Sequence, residues 1–153
     1  MTFVLPLLAT VWLWVSPEEY AKQSDLIAVL RIGTVHEEKT PESILVRSAV
    51  AEVERVIYFR FAPHRKLPEK IVIYQVDPNG QIEGGSAFGE PTIAEGRCFA
   101  MLKLRGEDKF TPYARLSLQA FEKEGLHWPT TFGKTEQMSL EQIIGRLKIL
   151  LRE

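Results

Sequence analysis

The chain has 153 residues, of which 45% are hydrophobic and 25% charged, with nine Pro, ten Gly and one Cys. That size suits a single domain able to bury its own core, and the composition excludes disorder, collagen and coiled coil. Nineteen Lys and Arg against twenty Asp and Glu leave a formal charge of -1, no global field for gathering a polyanion, and the lone Cys98 excludes a disulfide framework or a four-Cys metal site.

Residues 3–15 form an uncharged apolar run. It is too short to span a bilayer, which takes about 20 residues. It resembles the apolar core of an export signal, although Met1-Thr2 supplies no basic leader. We read residues 1–9 as the remnant of such a signal and Thr10 to Val15, alternating around Trp12 and Trp14, as an extended segment. A secreted or periplasmic setting follows, with a buried strand of a cytoplasmic protein as the alternative.

Ser16-Pro17-Glu18-Glu19 is a helix start with a capping-box match, and the helix runs to about Gln23. Residues 25–35 are rich in branched side chains and predict a strand buried on both faces, bent near Gly33. Residues 36–43 have the composition of a hairpin loop. Ile44 to Phe59 predicts a long strand in which Leu45, Ala49, Ala51, Val53, Ile57 and Phe59 share one face, interrupted by Arg47 and Arg55. Such a strand bends and serves two parts of a curled sheet. Pro63 and Pro68 make residues 62–69 a loop, and Lys70 to Val76 is the third strand. A turn at 77–80 and a glycine-rich connection lead to a fourth strand, Arg97 to Leu104. Thr111 to Phe121 is expected as the fifth. After a turn at 122–125 and a short apolar return through Leu126 and Trp128, Ser139 caps a helix. Its Leu140, Ile143, Ile144, Leu147, Leu150 and Leu151 make one apolar stripe.

This order predicts one domain over residues 1–153: a mostly β, five-stranded, OB-like antiparallel barrel over 16–128, with a short N-terminal helix and a C-terminal amphipathic helix over 139–152. Four segments carry a closer likeness. Ser24-Asp-Leu-Ile-Ala-Val-Leu-Arg-Ile-Gly-Thr-Val35, Val50-Ala-Glu-Val-Glu-Arg-Val-Ile57, Ile71-Val-Ile-Tyr74 and Glu95-Gly-Arg-Cys-Phe-Ala-Met-Leu102 follow one another in the order of the tissue-inhibitor-of-metalloproteinase or netrin-like OB domain. The chain resembles that domain, and its uncharacterised bacterial relatives more closely, over about residues 10–128. The resemblance implies the fold and favours export. The metalloproteinase inhibitors of that superfamily ligate zinc through a mature N-terminal Cys held by disulfides. Residues 1–30 contain no Cys, so the scaffold carries over and the chelating mechanism does not.

The residues offer little chemistry of their own. Cys98 lies in an apolar strand, and His36, His64 and His127 show no zinc-pair spacing. Glu37-Glu38 and Glu18-Glu19 read as surface acids, and Glu52 and Glu54 share a face with Arg47 and Arg55 nearby for ion pairs. Gly84 to Gly89 lacks a phosphate-loop ending, and the loop from Asp77 lacks a calcium-binding register. The reading is therefore a non-enzymatic interaction module without cofactor, metal or membrane span, whose partner is a protein. Contact is expected through Arg60, His64, Arg65 and Lys66, with Trp12 and Trp14 second. Because Tyr58, Phe59 and Phe61 adjoin that basic group, a single-stranded nucleic-acid binder is the alternative.

Overall fold

In a computed structural model the placement of residues 16–77, 93–113, 117–123, 125–131 and 134–151 is described. Helix α1 (Pro17–Gln23) precedes β1 (Leu26–Ile32), β2 (His36–Lys39), β3 (Leu45–Phe59), β4 (Lys70–Asp77), β5 (Gly96–Leu104) and β6 (Lys109–Pro112). Then come β7 (Leu118–Ala120), β8 (Gly125–Thr131), β9 (Lys134–Ser139) and α2 (Leu140–Leu150). Both helices start as their sequences dictate. Ser16 caps α1, and Ser139 with Gln142 forms a full capping box on α2. In α1 the expected reciprocal partner Glu19 instead pairs with Lys22 at 3.8 Å.

The barrel strands run β1-β3-β4-β6-β5, and β5 returns to β1 to close the ring. Neighbours are antiparallel except β4 and β6, which pair in parallel at Val72–Lys109 and Ile73–Phe110. This is a closed five-stranded OB-like barrel, as the sequence predicts. The fifth strand differs from expectation. Rather than one strand over Thr111–Phe121, β6 begins at Lys109 and pairs with Leu102–Leu104, while β7 pairs with Cys98–Ala100 on the same edge of β5. Pro112 has no N–H to continue the ladder. Beyond it, Ser117 carries the chain back, its hydroxyl accepting from the Tyr113 N–H at 3.0 Å and its carbonyl from the Met101 N–H at 2.8 Å.

The long β3 bends as expected, pairing with β1 over 51–59 and with β4 over 45–52. Its register against β1 slips twice, at Ile27/Ala28 and Val29/Leu30, leaving Ile57 and Glu54 as extra residues. Two insertions restore the original parity. Phe59, Val53, Ala51 and Ala49 therefore all face the barrel interior, whereas Ile57, expected on that face, packs outside it. Residues 36–39, expected as loop, form β2 on β3. Strands β8 and β9 pair as an antiparallel hairpin that includes Trp128 and whose start must be glycine, because a Cβ on Gly125 would stand 2.6 Å from the Met138 carbonyl oxygen.

Two cores share β1 and β5. Leu26, Ala28, Leu30, Cys98, Ala100 and Leu102 point into the barrel with Ile71, Ile73 and Phe110. The alternate residues Ile27, Phe99 and Met101 point outward under Ala21, Leu126, Trp128, Ile143 and Leu147. That is why both strands read as continuous apolar runs. The α2 stripe packs on this outer wall.

The start of β1 is also a polar junction. Asp25 accepts from the Leu104 N–H at 2.9 Å and pairs with Arg60 at 3.3 Å. Ser24, fully buried, donates to the Tyr20 carbonyl at 2.9 Å and lies 2.8 Å from the Tyr113 hydroxyl, which donates to the same carbonyl. Burial raises the Tyr113 phenol above its ordinary value, keeping it a donor.

Candidate functional site

Strand alternation assigns the outer surface of β3 and β4. Ile71, Ile73 and Gln75 are buried inward, so their alternates Lys70, Val72, Tyr74 and Val76 face out, beside Glu52, Val50, Ser48 and Val46 respectively. Val50 is 53% exposed and Val76 41%, and Val46, Val72 and Tyr74 are half-buried between them. The face continues sideways. Glu37 bridges to the inward-leaning Arg47, so its neighbours Glu38 and His36 lie on the outer side next to Val46 and Ser48. Lys109 lies out next to Val72, since their neighbours Phe110 and Ile73 are both fully buried. The result is an apolar strip of β-branched residues with charge at its ends.

The basic group expected as the contact surface is divided by the structure. Arg60 donates to the carbonyls of Lys22 at 3.1 Å and Ser24 at 3.3 Å in addition to its Asp25 pair, so it holds the end of α1 against β3. Arg65 donates to the carbonyls of Gly106 and Glu107 and pins its loop to the turn between β5 and β6. His64 and Lys66 are exposed. Of the adjoining aromatics, Phe59 is core, Tyr58 packs with the outer cluster and Phe61 sits edge-on to Phe59 at 5.7 Å. Trp12 and Trp14 lie outside the described residues, as do 78–92 with the phosphate-loop candidate.

No family model matches the chain, and no curated protein matches it. The geometry therefore carries the functional argument.

Cys98 is buried in the barrel, and desolvation, with a smaller contribution from the Glu54 carboxylate, pushes its thiol up to about 12. A thiol of that pKa is about one part in ten thousand thiolate at pH 8. The native protein should leave a chromogenic disulfide reagent unreacted until denaturant unfolds it. Rapid reaction in buffer would place the sulfur at an open surface. Among the described residues no group of three or more His, Cys, Asp and Glu is arranged to hold a metal ion. No described helix is long and apolar enough to cross a membrane. A groove of about 210 Å³ lined by Ile57, Tyr58, Lys148 and Leu151 falls below the ~300 Å³ at which small-molecule pockets begin.

Polar groups at two other places have structural partners. At the barrel mouth Gln75 accepts from the Ile93 N–H at 3.3 Å and Arg47 donates to the Ile93 carbonyl at 3.2 Å, so the fully buried Ile93 is held by both backbone groups. On the wall, Glu54 on the outer face of β3 accepts from Arg97 at 2.8 Å and Arg31 at 3.0 Å, and the Arg97 guanidinium lies 4.4 Å from the Phe121 ring centroid. The Arg97 hydrogen bond, opposed by partial burial and aided by both positive charges, holds the Glu54 carboxyl below its ordinary 4.5. A carboxyl that titrates lower folded than unfolded stabilises the protein above its unfolded value, and that contribution is lost as pH falls through the folded value. Replacement by Gln is expected to cost about 0.2–1 kcal/mol per pair at pH 7 and less at pH 3. An equal cost at both pH values, from urea titrations, would contradict the triad.

Proposed function

We propose that the chain is a non-enzymatic protein-interaction module that binds through the outer face of β3 and β4. The observation that carries this reading is the strip Val46, Val50, Val72, Tyr74 and Val76, half-buried to exposed on a sheet whose other side is a closed core. A contiguous apolar patch on a soluble surface marks a contact site. In OB folds the face of the second and third barrel strands, here β3 and β4, is the one used for binding. The likeness to netrin-like domains fits the same reading, as a scaffold kept without the zinc-chelating Cys. An exported setting is part of the proposal, resting on the uncharged apolar run over residues 3–15.

The nucleic-acid alternative has less support. A single-strand site needs aromatic platforms along a basic groove. The strip offers valines with one half-buried tyrosine, and Arg60 and Arg65 spend their guanidiniums on internal carbonyls. A photoreactive side chain at Val50 should yield a protein adduct, while the same group at the exposed Glu136 on β9 should not. Equal yields at both positions would remove the face from the proposal. Salt-sensitive retention of a labelled single-stranded oligonucleotide, lost in His64→Ala with Lys66→Ala, would favour the alternative.

A further inference from the structure

The strip presents side chains and no free backbone at its centre. Over Leu45–Ser48 β3 is paired with β2 on one edge and β4 on the other, and over Ala51–Glu52 with β1 and β4. An added strand therefore has nothing to pair with on β3 over these residues, so a partner seated on this face meets its valine side chains. An apolar sheet face can be covered by a second sheet, packed about 10 Å away.

The charges around the strip decide which face that is. One end carries Glu38 beside Val46 and Val76. Toward the other end lie Lys70, opposite Glu52, and Lys109, beside Val72, while Arg31 next to Glu52 is already engaged by Glu54. A two-fold axis lying in the plane of the face and crossing the strands reverses the strip end for end. The negative end of one copy then lies over the positive end of the other, while Val50 of each copy meets the apolar middle of its mate. We infer that the partner of this face is a second copy of the chain, giving a symmetric dimer with the two β3–β4 faces packed together. The inference rests on the face being the interaction surface proposed above.

The strip is about 20 Å long and three strands, or about 15 Å, wide, which gives on the order of 300–400 Å² per copy. That is roughly half of the ~800 Å² that each partner contributes to a standard interface, so the dimer is expected to be weak and concentration-dependent.

The test is sedimentation of the full chain at low salt from about 5 to about 500 μM. The weight-average mass should rise toward that of a dimer with concentration. Val50→Lys should weaken association at least tenfold while circular dichroism and melting temperature stay those of the parent, as its side chain is already exposed. Glu38→Lys and Lys70→Glu should each weaken it several-fold, and the two together in one chain should recover a large part of the loss, since the reversed pair again faces across the axis. A chain that stays monomeric throughout, or a Val50→Lys variant that associates as before, overturns the dimer. With a monomeric parent, photoadducts from Val50 to a different protein would overturn the second-copy inference alone. No adduct from Val50 at all would overturn the interaction face with it.

Discussion

Replacing Trp128 with alanine is expected to lower the stability of the chain by about 3–5 kcal/mol, and its melting temperature by about 10 °C or more. The indole is fully buried where β8 meets the outer wall of the barrel, edge-on to Phe99 with ring centroids 5.8 Å apart. Its Nε1–H donates to Glu18 at 3.3 Å, and the same carboxylate lies 3.7 Å from Arg146, so one side chain joins α1, α2 and β8. Truncation leaves a cavity between the barrel and its cover and strips Glu18 of a donor. Trp128→Phe keeps most of the apolar contact and loses the hydrogen bond, so its cost should be about 1 kcal/mol. Chemical denaturation of the three proteins checks the order. A loss below about 1 kcal/mol for the alanine variant would mean that β8, β9 and α2 unfold separately from the barrel.

Asp25→Ala is the second large effect. The carboxylate, 16% exposed, is the meeting point of the first strand with the ends of β3 and β5, through Arg60 and the Leu104 N–H. Removing it leaves a half-buried amide without its acceptor and a guanidinium without its counter-charge, at a cost of about 2–3 kcal/mol. Asp25→Asn retains an acceptor oxygen for the amide and should recover about half. Arg60 keeps its bonds to the carbonyls of Lys22 and Ser24 in either variant, so Arg60→Ala on top of Asp25→Ala should cost less than on the parent chain. Strict additivity in that cycle would show that the two side chains do not interact.

Much of the barrel was legible because its strands announce burial. Leu26 to Ile32 and Gly96 to Leu104 are apolar on both faces, and the structure gives each face its own core. The length of β3 told of its bend. Its bulges were hidden because the second cancels the first, so Phe59 and Ala51 keep one parity and only Ile57 and Arg55, which reaches Glu141 on α2, betray the slips. Strands β2 and β9 carried no alternation to read: every residue of His36–Lys39 is exposed, as is all of Lys134–Ser139 except Met138. Tertiary pairing alone makes them strands. At the candidate site, Arg60 and Arg65 read as free cations because the carbonyls that occupy them are distant in sequence. The valine face is marked in the sequence as well. Ile71-Val-Ile-Tyr74 is apolar at successive positions, and with Ile71 and Ile73 inside, Val72 and Tyr74 had to lie outside.

The barrel shuts between β4 and β6, where the Val72 N–H donates to the Asp108 carbonyl at 2.9 Å and Val72–Ile73 run parallel to Lys109–Phe110. Nuclear Overhauser contacts in the labelled protein test this closure directly. Parallel-strand cross-peaks linking Val72 and Ile73 to Asp108, Lys109 and Phe110 are expected, together with antiparallel cross-peaks between Ala28 and Ala100. A sheet that gives the second set without the first would be open at β4, which contradicts a closed barrel.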